Sequence, residues 1–409
     1  MKNIGSNYFT IDDLGNLSGK VAIFRVDFNI PMDEDFNVTN TARIDRTVPT
    51  IKELMSKGVK VVIASHFRRP EGKRDTKFSL QHITHDLEAA LGKRVVFVDD
   101  CIGAKVSNAI SKMSNDEVLL LENLRFYTEE TANDEAFAAE LVKPADVYIS
   151  DAFATTHRNH ASMVAAIKLR PSAMGRLMEE EVSALENAMS ISTRPLIAIV
   201  GGSKVSTKLD LLNNLVQKVD KLVIAGGMAH TFSRACGIDT INKNNSLVQM
   251  DMLEMAGNIM QLARDNCCEI ILPQDAVIAK EFKPYSEHRI VDLEAVPASG
   301  WSLLDVGPKT IAAINACVDK CKTLIWNGPL GVFEMKPFDN ATNKVAWHVA
   351  KLTAAGKLIS VAGGGDTVSA LENAQVADEF SYISTAGGAF LEWMEGKQLP
   401  GIIALKKAM

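Results

Sequence analysis

Leu196–Leu212 reads LIAIVGGSKVSTKLDLL, an unbroken apolar run that passes through two glycines and a short polar turn into leucines at helical spacing. The run lacks the alternation of a half-exposed strand, so it reads as a strand covered on both faces of a sheet. A strand that runs through glycine into a helix is half of a βαβ unit, and such units build parallel sheets.

Outward from this stretch the same pattern recurs. On the N-terminal side the runs are Val21–Val26, Val59–Ala64, Val95–Val98, Val118–Leu121 and Val147–Ile149. On the C-terminal side they are Leu222–Ile224, Ile270–Leu272, Leu324–Trp326, Leu358–Val361 and Phe380–Ile383. Between the two sets, Pro171–Ile191 places Met174, Leu177, Met178, Val182 and Leu185 at helical spacing and reads as a joining helix with a hinge. The expected fold is α/β, with two doubly wound, Rossmann-like parallel sheets. The first domain is expected over 1–173, the hinge helix over 174–191 and the second domain over 192–391.

A chain of 409 residues is long enough for two such domains. With 47% hydrophobic and 23% charged residues it has the composition of a folded globular protein. A net charge of −6 argues against a nucleic-acid surface, which needs clustered excess cations. The six cysteines form no CxxC pair and read as packing thiols in a reducing compartment. The N-terminus has no signal-peptide core and no run reaches the ~18 apolar residues of a membrane span, so a cytoplasmic location is expected.

Ligands of open parallel sheets bind beyond the carboxyl ends of the strands, and here the two halves differ. In the first half the strand ends carry Asp27-Phe28-Asn29, then Ser65-His66-Phe67-Arg68-Arg69-Pro70, then Glu122-Asn123-Leu124-Arg125, then Asp151 followed by His157-Arg158. Residues 1–170 hold ten arginines against four in 190–409. Any single arginine reads equally as a solvated surface group. Several on one rim, Arg43, Arg69, Arg125 and Arg158 among them, point to a phosphate or carboxylate, which guanidinium forks match. His66 is either a phosphate donor or a packed core residue, and Asp27 and Asn29 either orient a ligand or close an Asx turn.

In the second half the strand ends carry Gly201-Gly202-Ser203-Lys204, Gly226-Gly227, Asn327-Gly328-Pro329 and Gly363-Gly364-Gly365-Asp366-Thr367. Glycine admits close backbone approach, and a loop opening a helix offers N–H groups to phosphate, so this half reads as a nucleotide site. Asp366 is either a turn or capping residue or the holder of a nucleotide-borne magnesium ion. Lys204 and Lys208 are expected on one face of the helix that starts there, with Lys208 reaching the transferring phosphoryl group. Glu334 is placed to take ribose hydroxyls. The phosphate-binding GxxxxGK[ST] loop, the GxGxxG fingerprint and the protein-kinase elements are all absent.

RVDFNIP (25–31), SHFRRPEG (65–72), LLLENLRF (119–126), SDAFATTHRNHASM (150–163), IVGGSKVSTKL (199–209), IAGGMAHTF (224–232), LIWNGPLGVFE (324–334), VAGGGDTV (361–368) and ISTAGGAFLEWMEGKQLPG (383–401) together resemble the phosphoglycerate kinases, in family order. The resemblance implies reversible phosphoryl transfer from 1,3-bisphosphoglycerate to MgADP, giving 3-phosphoglycerate and MgATP, by a cytoplasmic monomer that binds neither nucleic acid nor membrane. It implies that Asp27, Asn29, Arg43, His66, Arg69, Arg125 and Arg158 bind the acid, Arg43 acting on the moving group, with Phe28, Phe67 and Arg68 expected in the same substrate-binding set. It assigns Lys204, Lys208, Asn327, Glu334, Gly364, Gly365, Asp366 and Thr367 to nucleotide and Mg2+, with Gly201, Gly226, Gly227 and Gly387 lining that site. It further implies that 392–409 returns to the first domain and that the domains close to exclude water. Phe67-Arg68 stands where the family commonly has Leu-Gly. A catalytically idle binding protein and a nicotinamide-dependent dehydrogenase are the competing classes, opposed respectively by the intact Arg43, Lys208 and Asp366 and by the missing fingerprint.

Overall fold

The computed structural model describes residues 7–189, 194–242, 245–384 and 386–407; the end of the expected hinge helix (190 and 191) and Thr385 lie outside them. The chain divides into two compact units, Met1–Ser183 with Gln398–Met409, and Ala184–Lys397. The division falls inside the helix Arg176–Ala188.

The first unit is built on β1 (Val21–Val26), β2 (Lys60–Ala64), β3 (Arg94–Val98), β4 (Glu117–Leu121), β5 (Val147–Asp151) and β6 (Ser172–Met174). They form one parallel sheet in the order β3-β4-β2-β1-β5-β6. Because helices cover both faces, the central strands are buried along nearly their whole length, which is why they read as continuous apolar runs. The helix Ala42–Ser56 lays Ile44, Val48, Ile51 and Leu54 against Phe24, Val61, Ile63 and Leu120. Each such buried side chain is worth about 1.5–3 kcal/mol relative to exposure. The C-terminal segment joins this unit through backbone bonds Phe9 N to Leu405 O (3.0 Å) and Gly401 N to Thr156 O (2.9 Å).

The second unit holds β7 (Leu196–Val200), β8 (Lys221–Ile224), β9 (Glu269–Ile271), β13 (Thr323–Asn327), β14 (Ile359–Gly363) and β15 (Tyr382–Ser384) in the parallel order β15-β14-β13-β7-β8-β9. Between β9 and β13 the chain forms a second, antiparallel sheet of β10 (Asp275–Ala279), β11 (His288–Asp292) and β12 (Ser302–Val306), with β10 in the middle. It has its own core of Ile241, Ala276, Ile278, Leu293, Val296 and Leu303.

Two doubly wound parallel sheets agree with the sequence reading, and three details differ from it. Met174 was expected in the joining helix, whereas Ser172–Met174 is a strand and the helix begins at Arg176. A Cβ on Gly175 would lie 2.2 Å from Asp151 Cγ, so the backbone there passes directly over that carboxyl group. The return to the first unit begins at Gln398 rather than 392, because Met394 O accepts a bond from Asn214 Nδ2 and Lys397 pairs with Asp210 at 3.2 Å. The antiparallel sheet was not expected at all.

Candidate active site

In the first unit the neighbouring strands β4, β2, β1 and β5 all end at one rim. Asp27, just beyond β1, accepts from Arg43 Nη1 through Oδ2 and from Asn29 N (3.0 Å) through Oδ1. Ser65 ties β1 to β2, its Oγ accepting from Phe28 N and donating to Val26 O, each at 2.8 Å. Asn123, after β4, clamps the next loop: Oδ1 accepts from Phe67 N (3.1 Å) and Nδ2 donates to Phe67 O (2.8 Å). Arg125 donates from Nη1 to Arg68 O (2.6 Å), while its buried Nε and Nη2 have no hydrogen-bond partner among the described residues. Beside it, Arg69, Arg125, Arg158, His160, Thr128 and Thr131 line a cavity of 410 Å³. Convergent guanidinium groups, Arg125 with two donors unspent among the described residues, form a receptor for a multiply charged anion.

The electrostatics sharpen that reading. Burial, and then the charges of Arg158 and Arg25, bring Arg125 down to about 10, still cationic at neutral pH. His66 is driven well below its usual range by burial and by Arg25, Arg125, Arg158 and Arg43. Arg25 Nη2 lies 3.3 Å from His66 Nδ1. A guanidinium only donates, so Nδ1 accepts and the neutral ring carries its proton on Nε2, 3.9 Å from Asp27 Oδ1. Arg25 also donates from Nε to Ser162 Oγ (2.9 Å), which in turn donates to the fully buried Glu130 (2.6 Å). His160 is lowered to about 3 by burial and then by Arg125, Arg25 and Arg158.

In the second unit, β14, β13, β7 and β8 are likewise adjacent, and their glycine loops pack on one another. Gly201 N donates to Asn327 O (2.8 Å), Gly328 N to Thr367 Oγ1 (2.7 Å) and Met228 N to Gly202 O (2.9 Å). A Cβ at Gly201 would sit 2.0 Å from Pro329 O. Gly201 is therefore required by loop-on-loop contact, not by ligand approach as expected, whereas a Cβ at Gly365 would meet nothing within 4 Å. Lys208 Nζ donates to Asn327 Oδ1, and Asn327 Nδ2 donates to Gly363 O (2.7 Å). Burial lowers the Lys208 ammonium from its ordinary value, opposed by the charges of Asp366 and Glu395.

A cavity of 310 Å³ opens beside these loops. Gly202, Ser203, Gly226, Gly227, Glu334 and Asp366 form the polar part of its lining, and Leu247, Leu304, Pro329 and Val332 give apolar wall. Of its four carboxylates, Asp275 and Asp305 are committed to the backbone N–H groups of Lys309 and Thr310, and of Val306 and Ala341. Asp366, in the first turn of the helix Gly365–Asn373, keeps an exposed carboxylate. One carboxylate plus phosphate oxygens suits a magnesium ion that arrives on its nucleotide, so this site fits the expected metal.

Several expected site residues have other tasks. Phe28 and Phe67 are fully buried in the core, and their N–H groups are bonded to Ser65 and Asn123, so neither side chain reaches a ligand. Asp151 is buried beneath the helix Arg176–Ala188 and accepts from Met178 N (2.7 Å). Lys204 and Lys208 do not share a helix: a 3-10 turn, Val205–Thr207, separates them, and Lys208 directly precedes the helix Leu209–Leu215. Lys204 is exposed and lies outside the cavity lining. Sequence reasoning passed over Asn123 as a clamp and Arg25 as the partner of His66. An arginine within the otherwise apolar strand VAIFRV was the available signal.

The phosphoglycerate kinase family model matches residues 11–397. The chain is 51% identical to the phosphoglycerate kinase of Sinorhizobium medicae over 97% of its length and 98% of that protein's. It is 50% identical to that of Agrobacterium fabrum over 98% of each. Among solved structures, the phosphoglycerate kinase of Coxiella burnetii superposes with a TM-score of 0.89 at 36% identity, covering 97% of this chain and 98% of that one. The enzyme of Pyrococcus horikoshii superposes with a TM-score of 0.79 at 29% identity and the same coverage.

Proposed function

We infer the function from the premise that this chain belongs to the phosphoglycerate kinase family. It is a kinase of glycolysis that transfers a phosphoryl group reversibly between 1,3-bisphosphoglycerate and ADP, yielding 3-phosphoglycerate and ATP. The phosphorylated acid binds at the arginine rim of the first unit and the nucleotide at the glycine loops of the second. The observation that carries this division is Arg125, buried with two donor atoms unspent among the described residues at the wall of an arginine-lined cavity.

An acyl phosphate is already an activated donor, so no covalent nucleophile is needed and the protein's work is alignment and charge stabilisation. Asp27 aims the Arg43 guanidinium, which faces the charge that spreads over the equatorial oxygens during transfer. Arg69, Arg125 and Arg158 hold the phosphate, and the neutral His66 offers its Nε2 proton to the acid. Lys208, positioned by Asn327, supplies a second cation on the nucleotide side. Gly226, Gly227, Gly364, Gly365 and Thr367 shape the phosphate loops, Lys204 adds charge from the exposed turn, and Glu334 takes the ribose. Asp366 would hold magnesium, which when bound neutralises the nucleotide phosphates. The protein works as a cytoplasmic monomer.

ATP formation from ADP and enzymatically generated 1,3-bisphosphoglycerate in magnesium buffer tests the assignment. Turnover should fall about 100-fold or more in Arg43→Ala and in Lys208→Ala, the scale of losing one transition-state donor. Absence of turnover in the folded native protein would overturn it.

A further inference from the structure

Thr128 and Thr131, at the two ends of the short helix Thr128–Thr131, line the arginine-bearing cavity, whereas Glu130 between them is fully buried. A buried carboxylate needs hydrogen-bond donors, and Ser162 supplies two: its N–H donates to Oε2 (2.9 Å) and its hydroxyl to Oε1 (2.6 Å). Ser162 is itself pinned, its carbonyl accepting from the buried Tyr148 hydroxyl (2.6 Å). A serine hydroxyl can donate or accept, but a carboxylate accepts, so Glu130 sets the direction. The Ser162 proton points at Glu130, which leaves the oxygen to accept from Arg25 Nε (2.9 Å). Arg25 donates in turn from Nη2 toward His66 Nδ1 (3.3 Å). Four buried side chains thus run in one sense, ending at the Nε2 proton on the Asp27 side of the His66 ring. Glu130, Ser162 and Arg25 do not line the cavity. A negative charge close behind an anion receptor also opposes the ligand, so its presence there calls for a compensating task.

We propose that Glu130 is a positioning residue for the phosphorylated acid: acting through Ser162 and Arg25, it holds the His66 ring in the tautomer that presents the Nε2 proton to the acid. This rests on the reading of the rim as the acid site. In Glu130→Gln the side-chain amide meets two Ser162 donors with only one acceptor atom. The Ser162 N–H is fixed by the backbone and keeps the amide oxygen, so the amide NH2 falls to Ser162 Oγ and turns the hydroxyl proton toward Arg25 Nε–H. The polarity of the chain is then reversed at its source, and Arg25 loses the acceptor that fixes it against His66.

The test compares wild type with Glu130→Gln and Ser162→Ala, the second variant probing the same chain should the first not fold. It combines titration of 3-phosphoglycerate, steady-state kinetics in the 3-phosphoglycerate plus ATP direction, and two-bond proton–nitrogen NMR of isotope-labelled imidazoles, the His66 signals being those missing from His66→Leu. Wild type should show the Nε2–H form. In both variants that form should give way to a mixture of tautomers, and Kd and KM for 3-phosphoglycerate should rise about tenfold, the scale of one hydrogen bond to a charged group, while KM for ATP holds. On charge alone Glu130→Gln would bind the anion more tightly, so the direction of the change separates positioning from electrostatics. In a His66→Leu background Glu130→Gln should add no further weakening, because both act on one contact. An Nδ1–H ring in wild type, an unchanged tautomer and Kd in the folded variants, or the same tenfold loss in the His66→Leu background would overturn the role of Glu130 and leave the rim as the acid site. Failure of the wild type to bind 3-phosphoglycerate would overturn the reading of the rim and this proposal with it.

Discussion

Replacing Asp151 by asparagine should stabilise the protein at alkaline pH and leave it unchanged under mild acid. Asp151 is completely buried, one oxygen accepts from Met178 N at 2.7 Å, and the other has no hydrogen-bond partner among the described residues. Burial raises its carboxyl from 3.8 to about 7, against the opposing pull of the Met178 and Leu177 amides, Thr50 and Arg46. The folded state thus holds this proton more tightly than the unfolded chain. The resulting stability is complete below about pH 4 and is lost as pH climbs through about 7. Three pH units at 1.36 kcal/mol each put the loss at about 4 kcal/mol by pH 8. Asparagine keeps an acceptor for Met178 and never ionises, so Asp151→Asn should exceed wild type by about 2–4 kcal/mol at pH 8, and the gap should narrow by about 2.5 kcal/mol between pH 8 and pH 5. Urea unfolding followed by circular dichroism at pH 5, 6, 7 and 8 measures it. Trp301, Trp326, Trp347 and Trp393 all lie in the second unit, so their fluorescence reports that unit separately. A variant less stable than wild type at pH 8, or a gap that does not vary with pH, would refute the reasoning.

Lys208→Met should lower kcat by about 10²–10³ while ATP binding measured by titration weakens less, because the charge acts most on the transferring group. Arg125→Lys should raise KM for 3-phosphoglycerate about tenfold, since one ammonium cannot serve both the Arg68 carbonyl and the ligand as a guanidinium fork does. Gly201→Ala should cost about 2 kcal/mol of second-unit stability by tryptophan fluorescence, given the 2.0 Å approach to Pro329 O. Gly365→Ala, where the Cβ meets nothing within 4 Å, should leave that transition in place and weaken only nucleotide binding.

All the parallel strands except the edge strand β6 were legible because burial on both faces writes them as uninterrupted apolar runs, and each of their observed boundaries lies within two residues of its run; β6, only SAM, carries no such run. The antiparallel sheet left no such trace. β11 is HRIVD and mostly exposed, while β10 and β12 each carry an aspartate that is buried for reasons of helix capping. At the rim, residue type and strand-end position pointed to Arg69, Arg125 and Arg158, which line one cavity, while Arg43 starts the helix Ala42–Ser56 and pairs with Asp27. What sequence could not distinguish was which polar strand-end residues face the ligand and which turn inward. Asp27 and Asp151 follow comparable apolar runs, yet one orients an arginine and the other caps a helix. The lysine pair misled for a different reason: four-residue spacing means a shared face only if the chain is already helical, and Val205–Thr207 is not α-helical.

The antiparallel sheet enters the second unit as a graft on the connection from β9 to β13, yet Asp275, Ala276, Leu303, Leu304, Asp305 and Val306 from it line the nucleotide cavity. The glycine loops beside that cavity come from the parallel sheet instead. On the proposed nucleotide site, the wall beyond the glycine loops would thereby be carried by a different sheet of the same unit from the one that carries the loops. The graft can diverge, or be exchanged by an engineer, to suit a different nucleobase while the transfer machinery is inherited unchanged.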